Sequence, residues 1–348
     1  MRRLEAVLGR TGLKIKTLGF GGIPIQRVSE EEAIRVVRRC YELGINFFDT
    51  ARAYTVSEER IGKALEDVRD RVYLATKSAR RDGEGLLEEL EVSLRNLRTE
   101  YVDLYQLHNI SRREQWEQVQ APGGALEAAR QALEEGKIRH LGVTSHNPRL
   151  ALELVESGHF ETLMIPFNYL TPEPAERLLP RCKELGVGTI AMKPFGGGAL
   201  SNASTALKHV LLNPYVDVVI PGVMSVEEVE ENYRVWSGDH ALQPGELESI
   251  ERDRAELGDS FCRACDYCQP CPQGIPISFL LRAEKQMLRR MGWSEARAQR
   301  VAEALKLGET CIKCGQCEER CPYGLKIREL LPPTMASLRV HLENRTIP

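Results

Sequence analysis

No stretch of this sequence approaches the 18 or so apolar residues that a membrane-spanning helix needs, and the opening Met1-Arg2-Arg3-Leu4-Glu5 lacks the apolar core of a signal peptide. The expectation is a cytoplasmic protein with no membrane partner. Charge excess is also missing. With 47 basic and 50 acidic side chains the formal net charge is -3, which gives no bulk electrostatic case for nucleic-acid binding. No low-complexity segment is visible. No strand-like run leads into the Gly-x-Gly-x-x-Gly turn of a doubly wound dinucleotide fold; Gly21-Gly22 leads to Pro24 and Arg27 instead. What the chain does have is bulk. Its 348 residues, 42% hydrophobic and 28% charged, suffice for one large core and a smaller second domain.

Between residues 14 and 236, short β-rich apolar runs alternate with amphipathic helical stretches, the pattern of a parallel sheet with crossover helices. Strands are predicted over 14–21, 46–50, 72–77, 102–108, 138–145, 162–168, 187–193 and 216–223. The partner helices begin near Glu30, Ser57, Glu84, Ala125, Pro148, Pro174, Thr205 and Ser225. Eight such units in about 220 residues point to an α/β fold of the (β/α)8 TIM barrel type, with an open sheet as the alternative. Ahead of the barrel, residues 4–15 turn at Thr11-Gly12 and read as an N-terminal β-hairpin able to plug its bottom. Residues 237–258 read as a polar helical linker, after which the composition changes at Phe261-Cys262. Further helices are predicted over 277–291 and 294–307.

Active sites of such barrels lie at the C-terminal ends of the strands. Asp49 ends the second strand after Phe47-Phe48, Tyr54 follows on its loop, Lys77 ends the third strand and His108 the fourth. Each alone has a bland reading: strand-end Asp and Lys form structural ion pairs, and Tyr and His pack. Together they make a proton donor. Tyr has a reference pKa near 10, and an adjacent ammonium lowers it by stabilising the phenolate. Lys77 would supply that charge, Asp49 would hold Lys77, and His108 would orient or polarise a substrate carbonyl through a ring N–H.

With these residues the sequence resembles the aldo-keto reductase family. The resemblance is carried by Leu18-Gly19-Phe20-Gly21-Gly22, Asn46-Phe47-Phe48-Asp49-Thr50-Ala51 with Tyr54, Ala75-Thr76-Lys77 and Asp103-Leu104-Tyr105-Gln106-Leu107-His108. It extends through Gly136-Lys137-Ile138-Arg139-His140-Leu141-Gly142-Val143-Thr144 to Ile220-Pro221-Gly222 and Glu231-Asn232, and covers residues 1 to 258. It implies Tyr54 as general acid, tuned by Lys77 and Asp49, with His108 orienting the carbonyl. It also implies a nicotinamide cofactor exchanging hydride with a small-molecule carbonyl or alcohol.

The same resemblance implies cofactor contacts. Thr144 and Ser145 fall where the family holds the nicotinamide amide, and Met192 where a ring-stacking Tyr is common. Lys193, Pro194 and Gly196 with its neighbouring glycines lie where pyrophosphate is expected, a plain flexible loop being the alternative. Where many members grip a 2'-phosphate, this chain has Gly222, Val223 and Glu228, and an acid there favours a free ribose hydroxyl, hence NADH over NADPH. Glu231 and Asn232 match adenine-contacting positions. A glutamine common at the nicotinamide amide is Met164 here, and a pocket Trp is Ile23, so the substrate stays open.

Of ten cysteines, eight lie between Cys262 and Cys321, at spacings that favour metal over disulfides. The groups are Cys262-x2-Cys265-x2-Cys268-x2-Cys271-Pro272 and Cys311-x2-Cys314-x2-Cys317-x3-Cys321-Pro322. The second matches the bacterial ferredoxin spacing, in which three thiolates cap one cluster and the cysteine before proline serves the other. That resemblance implies two 4Fe-4S clusters. One is held by Cys262, Cys265, Cys268 and Cys321, the other by Cys311, Cys314, Cys317 and Cys271. The first group is one residue short before Cys271, which leaves one cluster as an alternative. Paired zinc sites are a further alternative, though zinc gives no reason for triplets followed by Cys-Pro. With a helical stretch between the groups, the module resembles a helical ferredoxin-like dicluster domain. The expected division is a barrel over 1–258, the cluster domain over 259–331 and a tail over 332–348. Cys40 and Cys182 read as buried thiols. Lys285, Arg289, Arg290, Arg297 and Arg300 read as a solvated face or as a docking site for an acidic redox partner protein.

Two functions stand side by side on the sequence. One is a nicotinamide-dependent reductase with an appended dicluster module; the other is an electron-transfer or redox-sensing protein whose barrel only binds nucleotide. Hydride moves two electrons and each cluster one, and no flavin motif is present to couple them.

Overall fold

The computed structural model describes residues 3–200, 202–258, 260–263, 268–283, 294–321 and 323–344. The chain divides into two compact units, Met1–Pro194 with Asn202–Gln243, and Phe195–Ser201 with Pro244–Pro348. No helix among the described residues is long and apolar enough to cross a membrane.

The first unit opens with a two-stranded antiparallel hairpin, β1 (Glu5–Val7) and β2 (Lys14–Lys16). Eight parallel strands follow: β3 (Phe20–Gly21), β4 (Phe47–Asp49), β5 (Tyr73–Ser78), β6 (Val102–Leu107), β7 (Ile138–Thr144), β8 (Thr162–Pro166), β9 (Gly188–Met192) and β10 (Val218–Ile220). They pair in sequential order from β3 to β10. The ring closes where Gly19 and Gly21 donate to the carbonyls of Val219 and Pro221 at 2.8 and 3.0 Å, and Val219 donates to Thr17 at 2.9 Å. The predicted first strand is therefore divided, its start belonging to the hairpin and only its end to the barrel.

The helices are α1 (Glu30–Glu42), α2 (Ser57–Leu65), α3 (Gly83–Leu97), α4 (Arg113–Gln120), α5 (Ala125–Glu134), α6 (Pro148–Glu156), α7 (Leu178–Glu184), α8 (Ala203–Leu211) and α9 (Val226–Ser237). Their starts follow capping chemistry. Ser29, Asp82, Asn147, Asn202 and Ser225 each accept a hydrogen bond from a first-turn N–H with the side chain. The segment at Pro174 forms only a short 3-10 turn, Glu173–Ala175, and the helix itself starts at Leu178. α4 is not anticipated by the sequence pattern; it carries few apolar residues and buries only Trp116 and Val119.

Leu8, at the hairpin's turn, is fully buried with Ile15, Phe47, Ala75, Leu104, Met164, Ile190, Val218 and Ile220. This floor leaves no room for a side chain on Gly188, whose Cβ would stand 2.8 Å from Leu8. Strand alternation then builds upward from the floor. Two residues beyond Phe47, Ala75 and Leu104 come Asp49, Lys77 and Gln106, with His108 just past the end of β6.

The second unit contains α10 (Pro244–Leu257), α11 (Ile277–Arg282), α12 (Glu295–Glu309), α13 (Gln316–Glu319) and α14 (Ile327–Asn344). Ile277, Leu280, Val301, Leu305, Ile327, Leu331 and Leu338 form its core. Of the helix predicted over 277–291, residues 284–291 lie outside those described, and with them Lys285, Arg289 and Arg290. Residues 332–344, read as tail, belong to α14 despite Pro332 and Pro333 within it. Their helix persists because Ile327, Leu331, Met335 and Leu338 form one buried stripe at helical spacing.

Candidate active site and cluster domain

The apolar starts of β4 and β5 fix their polar ends in place. Lys77 and Asp49 are 1% and 2% exposed, and Lys77 Nζ donates to Asp49 Oδ1 at 2.5 Å and also to the carbonyl of Thr50. Gln106 Nε2 donates to the other carboxylate oxygen at 3.0 Å. Burial opposes the Lys77 charge, but Asp49 and then Tyr54 outweigh it and hold its pKa up, so it stays an ammonium. That ammonium lies 5.0 Å from the centroid of the Tyr54 ring, and the Tyr54 and His108 rings meet edge to face at 6.0 Å. All four residues of the proposed proton donor are thus brought together.

Tyr54 departs from the expected electrostatics. Burial of the phenol raises its pKa more than Lys77 lowers it, because desolvation penalises the phenolate. The phenol therefore keeps its proton at neutral pH. For His108, burial first, then Lys77, Arg81 and Lys193, push the pKa down to about 3. Its ring is neutral and carries one N–H. Nδ1 is buried without a partner, a cost that a bound polar group would relieve. The backbone adopts positive φ directly after three site residues, at Thr55, Asn109 and Lys193. For Thr55, a β-branched residue, this is a strained conformation of the kind found at functional sites.

The expected cofactor positions divide into groups. Thr144 and Ser145 are buried at the end of β7; Thr144 Oγ1 accepts from Asn109 N at 2.7 Å, and Ser145 Oγ accepts from Asn147 N at 3.0 Å. Met192 ends β9, packs partly buried against the floor cluster and precedes Lys193, whose Nζ is 3.5 Å from His146 Nδ1, and Pro194. Gly222 bridges to Gly21, and a Cβ on it would stand 2.7 Å from Pro24. Glu228 closes the start of α9, since its carboxylate accepts from Met224 N at 2.6 Å while its own N–H donates to Ser225 Oγ at 3.3 Å. Glu231 is exposed and Asn232 buried on α9. Met164 belongs to the barrel floor and Ile23 is 40% exposed. Gly196 falls in the second unit, where its carbonyl accepts from Arg282 at 3.1 Å.

Two residues escape a reading of the sequence alone. Gln106 completes the Asp49 carboxylate; its signal is alternation, since Leu104, Gln106 and His108 fall at every second position. Arg81 donates to the carbonyls of His108 and Asn109 at 2.8 and 3.1 Å, and nothing in its local pattern singles it out.

In the second unit the cysteines line two hollows. One, about 310 Å³, is bordered by Cys262, Cys268 and Cys321; the other, about 440 Å³, by Cys271, Cys311, Cys314 and Cys317, with Cys268 also on its wall. Cys265 lies outside the described residues. The thiol sets fit the cluster grouping that the ferredoxin spacing implies, Cys321 crossing to the first group and Cys271 to the second. Among the described residues, no three His, Cys, Asp or Glu side chains gather as a single metal ion would require. Cys262 and Cys268 are buried and Cys314 is exposed. Cys40 and Cys182 are buried free thiols, and burial pushes both pKa values up.

The profile of the aldo/keto reductase family matches residues 17–210, and that of a 4Fe-4S dicluster domain matches residues 261–326. L-galactose dehydrogenase of Arabidopsis thaliana is 29% identical over 310 residues, covering 74% of this chain and 94% of that protein. An uncharacterized oxidoreductase of Bacillus subtilis, YqkF, is 27% identical over 278 residues, covering 65% and 88%. Among solved structures, an aldo-keto reductase from Bacillus halodurans in its holo form aligns with a TM-score of 0.63 at 26% identity, covering 73% of this chain and 96% of that one.

Proposed function

Because the chain belongs to the aldo/keto reductase family and carries a 4Fe-4S dicluster domain, we propose that it interconverts a small-molecule carbonyl and its alcohol with a nicotinamide cofactor, using Tyr54 as general acid. The observation that carries this reading is the buried Asp49–Lys77 pair beneath Tyr54, with neutral His108 at the edge of its ring. The nicotinamide, when bound, supplies the hydride to the carbonyl carbon or takes it back. His108 orients the carbonyl through its ring N–H. Tyr54 gives its proton to the carbonyl oxygen, the O–H bonding pair stays on the phenolate, and Lys77 stabilises that charge. Asp49, with Gln106 behind it, keeps the ammonium aimed at the ring.

Thr144, Ser145, Met192, Lys193, Pro194, Gly222, Glu231 and Asn232 are the proposed cofactor contacts. NADH is the proposed nucleotide, since Glu228 stands where a 2'-phosphate would need a cation, and a carboxylate serving one backbone N–H keeps further acceptor capacity. The cysteine domain holds two 4Fe-4S clusters in this reading. Exposed Cys314 favours single-electron exchange with a redox partner protein at that cluster. The buried free thiols suit the reducing cytoplasm.

The test is anaerobic purification with iron and sulfide analysis, followed by a carbonyl screen with NADH and with NADPH on wild type and Tyr54→Phe. About eight irons per chain and Tyr54-dependent carbonyl reduction are expected. Reduction that survives Tyr54→Phe unchanged would sink the mechanism.

A further inference from the structure

Several cations around the catalytic strand ends are matched by acids, whereas Arg81 and Arg112 are not. Lys77 pairs with Asp49, Arg52 with Glu58, Arg80 with Glu89 and Arg113 with Glu153. Arg81, partly buried, has no carboxylate partner among the described residues. It donates only to backbone carbonyls, those of His108 and Asn109, and at 3.5 Å that of Arg80. Arg112, exposed and likewise without a carboxylate partner there, lies close enough to repel it. Burial and that repulsion bring the Arg81 pKa down to about 10. Arg112 also occupies the N-cap position of α4, so the positive end of the helix dipole adds to the two guanidinium groups. The Arg81 guanidinium bonds the His108 backbone carbonyl at 2.8 Å and, after burial and Lys77, helps hold the His108 pKa down, so this charge lies at the carbonyl-orienting residue.

A partly desolvated cation without a counter-ion is costly, and an anion bound there recovers the cost. A guanidinium fork matches a carboxylate in two parallel hydrogen bonds. We propose that the substrate is an oxo acid, reduced to the corresponding hydroxy acid, with its carboxylate held by Arg81 and Arg112 next to His108. This rests on the carbonyl-reductase reading and adds the substrate class. The balance of the reaction is unchanged: hydride to the carbonyl carbon and a proton from Tyr54 to its oxygen, while the carboxylate takes no covalent part.

The experiment compares an oxo acid with its methyl ester on wild type, Arg81→Gln and Arg81→Lys. Wild type is expected to favour the acid by about tenfold or more in kcat/KM, chiefly through KM, as a charge-assisted bidentate pair would give. Arg81→Gln should collapse the acid-to-ester ratio, and Arg81→Lys should keep most of it, which separates charge from loop packing. Equal use of acid and ester by wild type overturns the proposal. So does an Arg81→Gln effect confined to nucleotide KM and equal for both substrates, since the anion is then a cofactor phosphate. Calorimetric binding of the hydroxy acid and its ester gives an arm independent of turnover. Acid-selective binding lost in Arg81→Gln supports the site even if no carbonyl compound is reduced, and equal binding of acid and ester overturns it.

Discussion

Gln106 and Lys77 divide one carboxylate between them, Gln106 Nε2 donating to Asp49 Oδ2 at 3.0 Å and Lys77 Nζ to Oδ1 at 2.5 Å. The two donors face each other in strand register, Lys77 opposite Gln106. Gln106→Met leaves a buried carboxylate oxygen without a partner, while also removing the unpartnered Gln106 Oε1. The expected outcome is a loss of about 1–2 kcal/mol in urea unfolding. A fall in kcat larger than any change in KM should accompany it, because the ammonium under Tyr54 loses its fixed position. Unchanged kcat would show that Asp49 needs no second donor.

Lys77→Met should be far harsher. It strips the buried Asp49 carboxyl, whose pKa burial already raises, of its counter-ion and leaves it only Gln106, and breaking such a pair typically costs about 3–5 kcal/mol. Steady-state reduction should drop by roughly a hundredfold or more, as loss of general-acid assistance gives. The double variant Lys77→Met/Asp49→Leu should recover much of the stability and none of the activity. Recovered activity would remove Lys77 from the mechanism.

The depressed pKa of His108 sets a direction for acid stability. In the unfolded chain this His protonates near 6.5, and in the folded protein only near 3. Between those values the unfolded state binds the extra proton, so folding stability falls as pH is lowered through that window. His108→Gln should flatten this part of a melting-midpoint profile between about pH 4 and 7 relative to wild type. Over the neutral range, Tyr54 and His108 both keep fixed protonation states. Carbonyl reduction should therefore decline only on the alkaline side, and later than for an ordinary phenol, because burial raises the Tyr54 pKa. A second, acidic limb near pH 6.5 would place a charged His108 in the free enzyme.

The cysteine hollows predict separable clusters. Cys321→Ser acts on the site bordered by Cys262 and Cys268, and Cys271→Ser on that bordered by Cys311, Cys314 and Cys317. Each variant should lower iron from about eight to about four per chain, and the two should leave different electron paramagnetic resonance signals after reduction. Identical residual signals would mean that the sites are not independent.

Much of this architecture is legible in the sequence because strand periodicity and strand-end chemistry are local. Asp49, Lys77 and His108 announce themselves as polar endings to apolar runs, and Ser29, Asn147 with Pro148, and Ser225 mark helix starts by capping alone. Gln106 stays hidden because amides inside strands are ordinary; only its register against Lys77 gives it meaning. α14 is not foreseen because Pro332-Pro333 signals a break locally, while the stripe that holds it helical gains its worth only from the core it packs on. The raised Tyr54 pKa is out of reach for the same reason: charge pairs can be read from spacing, whereas desolvation depends on the whole surrounding fold. The part Glu228 plays in closing α9 likewise appears only when Ser225 and Met224 are seen beside it.

The hairpin and the barrel seam carry a consequence for the order of assembly. Arg10 donates from its backbone to Gly186 at 2.7 Å and from its guanidinium to Phe160 at 2.8 Å, and Thr17 Oγ1 accepts from Trp236 Nε1 at 2.9 Å. The first segments of the chain thus find their partners only after most of it has been synthesised. Such non-local closure slows folding and leaves the edges of β3 and its successors unpaired on a growing chain. On a ribosome this barrel would spend its youth as an open sheet, exposed to aggregation until Trp236 emerges to lock the seam.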